Sequence, residues 1–372
     1  MVTRLRRALF LVLVLAAVVL AACGEDSADG DLVEEGPAAA VGEDDEVAAA
    51  PTPTPMPTPT PTATPEAAMQ VTAAVAPVAD LVARIGGERV RVETLVPPGA
   101  DSHTYEPRPG DVARLADSDA YVGIGLDLNP AAVRLAEEHL AEGSPVVLLG
   151  ERLDERGLLA QPDVGHTHDH DHGHTHDDEP DHTHDGPNPH VWTSVNLVME
   201  MVDHVAEALA ELDPEGADAY RENAQNYLLD LRELDEAIAA AVTTVPERNR
   251  TLLAYHDAWV YFADDYDLES VTAVQPADFS EPSAAEVRAI IDLVRDEDVP
   301  AVFGSEVFPS DVLDAIADET GAAYVGDLSD DALPGDPGSS EHTYWELMRR
   351  NGVLIVEGLG GDASPLEALR PR

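Results

Sequence analysis

The stretch MQVTAAVAPVADLVARIGGERVRVETLVPPG occupies residues 69–99. Its apolar run Met69–Val75 reads as a buried strand. Pro77 follows, at a position where a helix tolerates proline because the first-turn N–H has no intrahelical partner. A helix then runs to about Ile85, where Gly86 and Gly87 break it. Arg89–Val96 reads as a second strand, closed by Pro97-Pro98-Gly99. Strand, helix and strand at this spacing predict a parallel sheet with helical crossovers.

The alternation continues downstream. Asp111–Asp117 is expected as helix, Ala120–Gly125 as strand, and Asn129–Ala141 as helix with Asn129 at its N-cap and Pro130 at its first position. Pro145–Leu149 is the next strand. A second α/β unit opens near residue 250, with strands at Thr251–Ala254, Ser270–Val274, Ala301–Phe303 and Ala323–Val325. Helices are expected at 257–266, 283–296 and 309–319. The segment 342–361 starts helical, and Gly352 argues against its second half. Between the units, Tyr220, Tyr227, Leu228, Leu231, Leu234 and Ile238 recur at helical spacing within 214–243. That predicts one helix of about 30 residues, roughly 45 Å long, serving as a strut. The fold expected is α/β: two parallel-sheet lobes, 69–213 and 244–372, joined by one long backbone helix.

Upstream of residue 69 no fold is expected. Arg4, Arg6 and Arg7 precede an apolar run, Ala8–Ala22, with the length of a signal peptide. It ends in Leu20-Ala21-Ala22-Cys23, which resembles the lipobox of bacterial lipoproteins. The resemblance implies cleavage after residue 22, lipid on Cys23 and attachment to the outer face of the cell membrane. Residues 23–68 are acidic, then carry a Pro-Thr repeat at 51–65. Such a segment buries too little apolar surface to fold, and its prolines favour an extended spacer.

The chain carries 73 Asp+Glu against 21 basic residues, all Arg, for a formal net charge of −52 over 372 residues. Its field repels phosphate, which excludes nucleic acid as a partner, and attracts cations. Most of the acid excess lies on the two lobes and reads as compositional bias. With one cysteine there is no disulfide framework and no thiolate cluster. Metal chemistry here must use imidazole and carboxylate.

Histidine is the informative residue. Of 14, eight fall within 19 residues: His166, His168, His170, His172, His174, His176, His182 and His184, interleaved with acids in a loop over 163–187. Imidazole and carboxylate suit Zn2+ and similar ions, and the alternating spacing makes many weak equivalent sites. His139 and His204 lie on amphipathic helices and read as surface residues, and His342 opens the last helix. His103, His190 and His256 are expected at strand-to-helix turns. In open α/β sheets ligands bind beyond the carboxyl ends of the strands, so these three are candidates for one metal.

Several motifs in order resemble the metal-binding (zinc/manganese) solute-binding lipoproteins of ABC importers. They are Pro97-Pro98-Gly99 with His103-Thr104-Tyr105-Glu106-Pro107, then Asn188-Pro189-His190-Val191-Trp192, then His256-Asp257-Ala258-Trp259. Glu281-Pro282-Ser283, Ser329–Leu333, and Thr343-Tyr344 with Met348–Asn351 continue the match over about 70–362. The resemblance implies ligands His103, His190 and His256, with a late aspartate as the fourth. Asp331 is chosen by its Asp-Ala-Leu context, with Asp327, Asp330 and Glu306 as neighbours in contention. Three imidazoles and one carboxylate fit tetrahedral Zn2+. Family members that carry Mn2+ usually place a carboxylate third, and Mn2+ or Fe2+ stays open here. The implied partners are a permease and its ATPase, met by an extracytoplasmic monomer.

Two rival functions remain at this level. A zinc hydrolase needs an open coordination position and a general base such as Glu281 or Glu306, and the chain has no His-Glu-x-x-His motif. A surface adhesin or zinc reservoir would use the same residues without transport. The expectation is a binding protein and not an enzyme.

Overall fold

A computed structural model describes residues 68–159, 186–275, 282–305 and 311–371, with residues 271–275 as backbone. Cys23, the spacer, the eight histidines of the tract and Glu306 lie outside the described residues.

The first lobe runs β1 (Met69–Ala73), α1 (Ala76–Gly86), β2 (Val90–Thr94), α2 (Pro109–Ala116), β3 (Ala120–Gly123), α3 (Pro130–His139), β4 (Val146–Leu148) and α4 (Leu149–Glu155). Its four strands are parallel in the order β2-β1-β3-β4. The chain re-enters at a short helical turn, Val191–Thr193, followed by α5 (Val195–Leu212) and α6 (Ala217–Val242). The second lobe runs β5 (Thr251–His256), α7 (Val260–Asp265), β6 (Glu269–Gln275), α8 (Ala284–Asp296), β7 (Ala301–Phe303), α9 (Asp311–Thr320), β8 (Ala323–Val325), α10 (Tyr344–Gly358) and α11 (Ser364–Glu367). Its order, β6-β5-β7-β8, repeats the first. In each lobe the crossover direction reverses beside the first strand. That opens a crevice at the carboxyl ends, where ligands bind in such sheets.

Local chemistry explains the first unit. Pro77 lies in the first turn of α1, whose Val78, Leu81, Val82 and Ile85 face inward. Gly86 ends the helix where a Cβ would stand 2.4 Å from the Val90 side chain, and Gly87 has φ +56°.

The strut is real and shorter than the sequence suggests: α6 has 26 residues, about 39 Å at 1.5 Å per residue. Pro214 belongs to a turn in which the Gly216 N–H donates to the Asp213 carbonyl at 3.1 Å. Asp213 also accepts from Arg89 Nε and the Tyr220 hydroxyl, both at 2.7 Å. The Arg89 contact, chiefly, holds the Asp213 carboxyl down to about 2. Along its length α6 packs against α1 and α5 of the first lobe and α10 and α11 of the second. A single apolar core therefore passes from β1 through α6 to α10. The outer face of the second sheet has its own cluster, built on Leu253, Ile290, Val294, Leu313 and Ile316.

Gly352 does not end the last long helix. It lies inside α10 and lets Leu366 and Ile238 approach to 3.1 and 3.4 Å of where its Cβ would be. Packing against α6 and α11 outweighs the glycine's helix cost, about 1 kcal/mol.

Candidate metal centre

His103, His190 and His256 converge. One nitrogen from each lies within 4.8 Å of the others. His190 is the hub: its Nε2 is 2.9 Å from His103 Nε2 and 2.9 Å from His256 Nε2. His190 and His256 are buried, and His103 is half-buried on the open side. Three imidazole nitrogens facing one point form a borderline-soft donor set for a divalent transition ion.

Each ring is placed by its own local chemistry. His103 follows β2 in a turn where its N–H donates to Asp101 Oδ1 at 2.9 Å, and Asp101 also accepts from the Thr104 hydroxyl. Asn129 holds that turn from outside. Its Oδ1 caps α3 through Ala132 N at 2.9 Å, while its Nδ2 donates to the carbonyls of Ser102 at 2.8 Å and Tyr105 at 3.1 Å. His256 is the last residue of β5, where the pairing with β6 shifts register between Ala254 and His256. That irregularity turns the strand end toward the crevice.

His190 departs from its expected setting. It enters the Val191–Thr193 turn ahead of α5, and the last element described before it is α4, not a strand. An Asx-type turn sets it instead: Asn188 Oδ1 accepts from His190 N at 2.9 Å and contacts Nδ1 at 2.8 Å. Trp192, fully buried, lies 5.3 Å from the His190 ring, centroid to centroid, and donates from Nε1 to the Asp330 carbonyl at 2.7 Å. The Tyr344 hydroxyl donates to the Trp192 carbonyl at 2.8 Å.

The nominated acids separate by their neighbours. Asp327 is exposed. Asp330 is buried and accepts from the Ser305 hydroxyl at 3.2 Å. Asp331 reaches across to the first lobe, where its oxygens accept from Ser102 N at 3.0 Å and Ser102 Oγ at 3.1 Å. It thus stands beside the His103 turn, although the group of mutually close ligand atoms among the described residues comprises the three histidines alone. His139 and His204 sit on α3 and α5 and are not in this group; both are half-buried where the sequence predicts surface positions, and His204 Nε2 lies 3.2 Å from Arg156. The sequence marks Asn129 only as a helix cap and Asn188 only as part of a motif, and gives no signal for Ser102. Asn-Pro before His190 is an Asx-turn signal that was there to be read.

Two like-built α/β lobes on a helical strut, with imidazoles from both meeting in the crevice between them, define a metal-binding solute receptor of the ABC-importer type. Comparison with known proteins agrees. Residues 71–358 match the family described as zinc-uptake complex component A, periplasmic, and the chain belongs to it. It is 30% identical over 295 residues to the manganese-binding lipoprotein MntA of Halalkalibacterium halodurans, covering 78% of this chain and 88% of that one. It is 29% identical to the high-affinity zinc uptake protein ZnuA of Paracoccus denitrificans, covering 79% and 92%. Among solved structures, the periplasmic zinc-binding protein TroA of Treponema pallidum superposes with a TM-score of 0.65 at 26% identity, covering 78% of this chain and 99% of TroA. The protein is an extracytoplasmic binding component that works with a permease and ATPase, and it is not an enzyme. No helix of the described residues is long and apolar enough to cross a membrane.

Proposed function

We propose that this protein captures Zn2+ outside the cell membrane and hands it to its permease. The observation that carries the proposal is the convergence of three imidazole nitrogens within 4.8 Å. The borderline Zn2+ ion favours such nitrogen donors, whereas Mn2+ prefers a harder, carboxylate-rich set. His103, His190 and His256 supply three ligands, and Asp331 completes a tetrahedron. An anionic carboxylate oxygen has lone pairs enough to keep its Ser102 bonds and bind the ion. With Zn–N bonds of about 2.0–2.1 Å, tetrahedral nitrogens stand about 3.3 Å apart. Loading therefore spreads the 2.9 Å contacts by about 0.4 Å, a side-chain adjustment.

The His-rich tract 163–187 raises local ion concentration, and lipid on Cys23 holds the receptor near its permease as a monomer. The second reading is Mn2+, favoured by the name of the 30%-identical relative. Metal analysis of tag-free protein, with calorimetry on His103→Ala and His256→Ala, separates the readings. Tight Zn2+ binding that survives both substitutions overturns the site. Mn2+ as the ion retained by the wild type overturns zinc. Removing 163–187 lowers the number of ions bound and leaves the tight site intact.

A further inference from the structure

We propose that Asn188 is the positioning residue of this centre: its side-chain amide fixes His190 in the Nδ1–H tautomer and ties that ring to the strand end bearing His256. The inference rests on the metal-receptor reading of the same site.

The amide's orientation is set by what it faces. Its Nδ2 lies 2.7 Å from the Asp257 carbonyl and 3.1 Å from Asp257 Oδ2, both of them acceptors. The opposite end faces the His190 backbone N–H, a donor, at 2.9 Å. Donors and acceptors match in one orientation, with Oδ1 toward His190. That oxygen is also 2.8 Å from His190 Nδ1, so Nδ1 must carry the hydrogen. In a neutral ring Nε2 is then the acceptor nitrogen, the form that binds a metal. His190 Nε2, with its single in-plane lone pair, stands 2.9 Å from both partner nitrogens, where an ion between the three rings would meet it. His190 is thus set to present Nε2 to the ion.

The same amide spans two parts of the fold. Asp257 directly follows His256, the end of β5. The Asn188 carbonyl also accepts from the Tyr261 hydroxyl of α7 at 2.9 Å. Asn188 is thus held at both ends to the second lobe while it orients a ring beside the first. A shift of either ligand reaches the other through one side chain.

Long-range proton–nitrogen NMR on histidine-labelled, metal-free wild type reads the tautomer directly. The expected result is His190 protonated at Nδ1, and an Nε2–H ring overturns the proposal. Chelator competition then compares Zn2+ affinity. Asn188→Ala is expected to bind about 10–100-fold more weakly with mixed tautomers at His190. Asn188→Asp keeps an acceptor for Nδ1–H but sets a carboxylate against Asp257, so it keeps the tautomer and falls between. Asn188→Ala within threefold of wild type, at an unchanged unfolding temperature, overturns the proposal. Because the tautomer is read on the unaltered, metal-free chain, it decides the proposal even where a variant does not fold. Weak Zn2+ binding by the wild type refutes the functional reading instead.

Discussion

Asn129 offers the sharpest test of how the fold reaches the metal. Its side chain makes three bonds: the cap of α3 and the two carbonyls of the His103 turn. Losing an N-cap costs about 0.5–2 kcal/mol. Each lost hydrogen bond to a carbonyl costs about 0.5–1.5 kcal/mol net. Asn129→Ala should therefore destabilise the protein by about 3 kcal/mol. At roughly 2–4 °C per kcal/mol for a large domain, that lowers the melting temperature by about 6 °C or more.

Metal affinity should fall as well, because Ser102 is a relay. Its carbonyl is held by Asn129, while its N–H and hydroxyl hold Asp331. Loosening this one residue disturbs His103 and the proposed fourth ligand together. A loss of about 1.4 kcal/mol in preorganisation is a tenfold weaker Kd. Asn129→Ser separates the two effects, since serine caps a helix well but lacks the amide donor. It should recover the cap's share, about 1 of the roughly 3 kcal/mol lost in Asn129→Ala, and still show the weaker Kd. Thermal unfolding and chelator competition give both numbers. Wild-type affinity in Asn129→Ser would refute the relay.

Further outcomes follow from single residues. His256→Asp replaces a buried imidazole with a hard oxygen donor, so competition titration should show the Zn2+ over Mn2+ preference reduced or reversed. Asp213, held at about 2 by Arg89, contributes stability that is fully present above the ordinary carboxylate value of about 3.9 and is lost as pH falls toward 2. Asp213→Asn should thus be less stable than wild type at neutral pH, with the gap closing between about pH 4 and 2 in paired melts.

Much of this was legible in the sequence because it rests on local signals. Apolar runs bounded by Gly and Pro mark β1, α1 and β2, and the same punctuation marks β6 to β8. His103 and His256 stood out because they lie at the ends of such runs. The proposed fourth ligand did not, because Asp327, Asp330 and Asp331 are alike in type and separated only by neighbours far along the chain. Asp331 meets Ser102, which precedes it by 229 residues. The continuity of α10 was hidden for the same reason: Gly352 breaks a helix by propensity, and only Ile238 and Leu366 explain why it does not. The position of His190 depends on an Asx turn, whose signal is two residues long and easily passed over.

The continuity of the core bears on how an ion is taken up and released. Tyr227, Leu231, Leu234 and Ile238 on α6 are each at most 4% exposed and belong to the cluster that spans both lobes. Exposing even two such side chains costs about 3–6 kcal/mol, comparable with the whole stability of a domain. The contacts across the crevice are of another kind. Ser102 to Asp331, Trp192 to Asp330 and Asn188 to Asp257 are hydrogen bonds worth about 1 kcal/mol each. Movement on loading therefore falls on the turns at 101–105, 188–193 and 328–333, while the strut and its core stay fixed. Hydrogen exchange with and without Zn2+ should show new protection in those turns and none along the buried face of α6. Protection that rises throughout α6 would mean that the lobes swing as bodies and that the core yields.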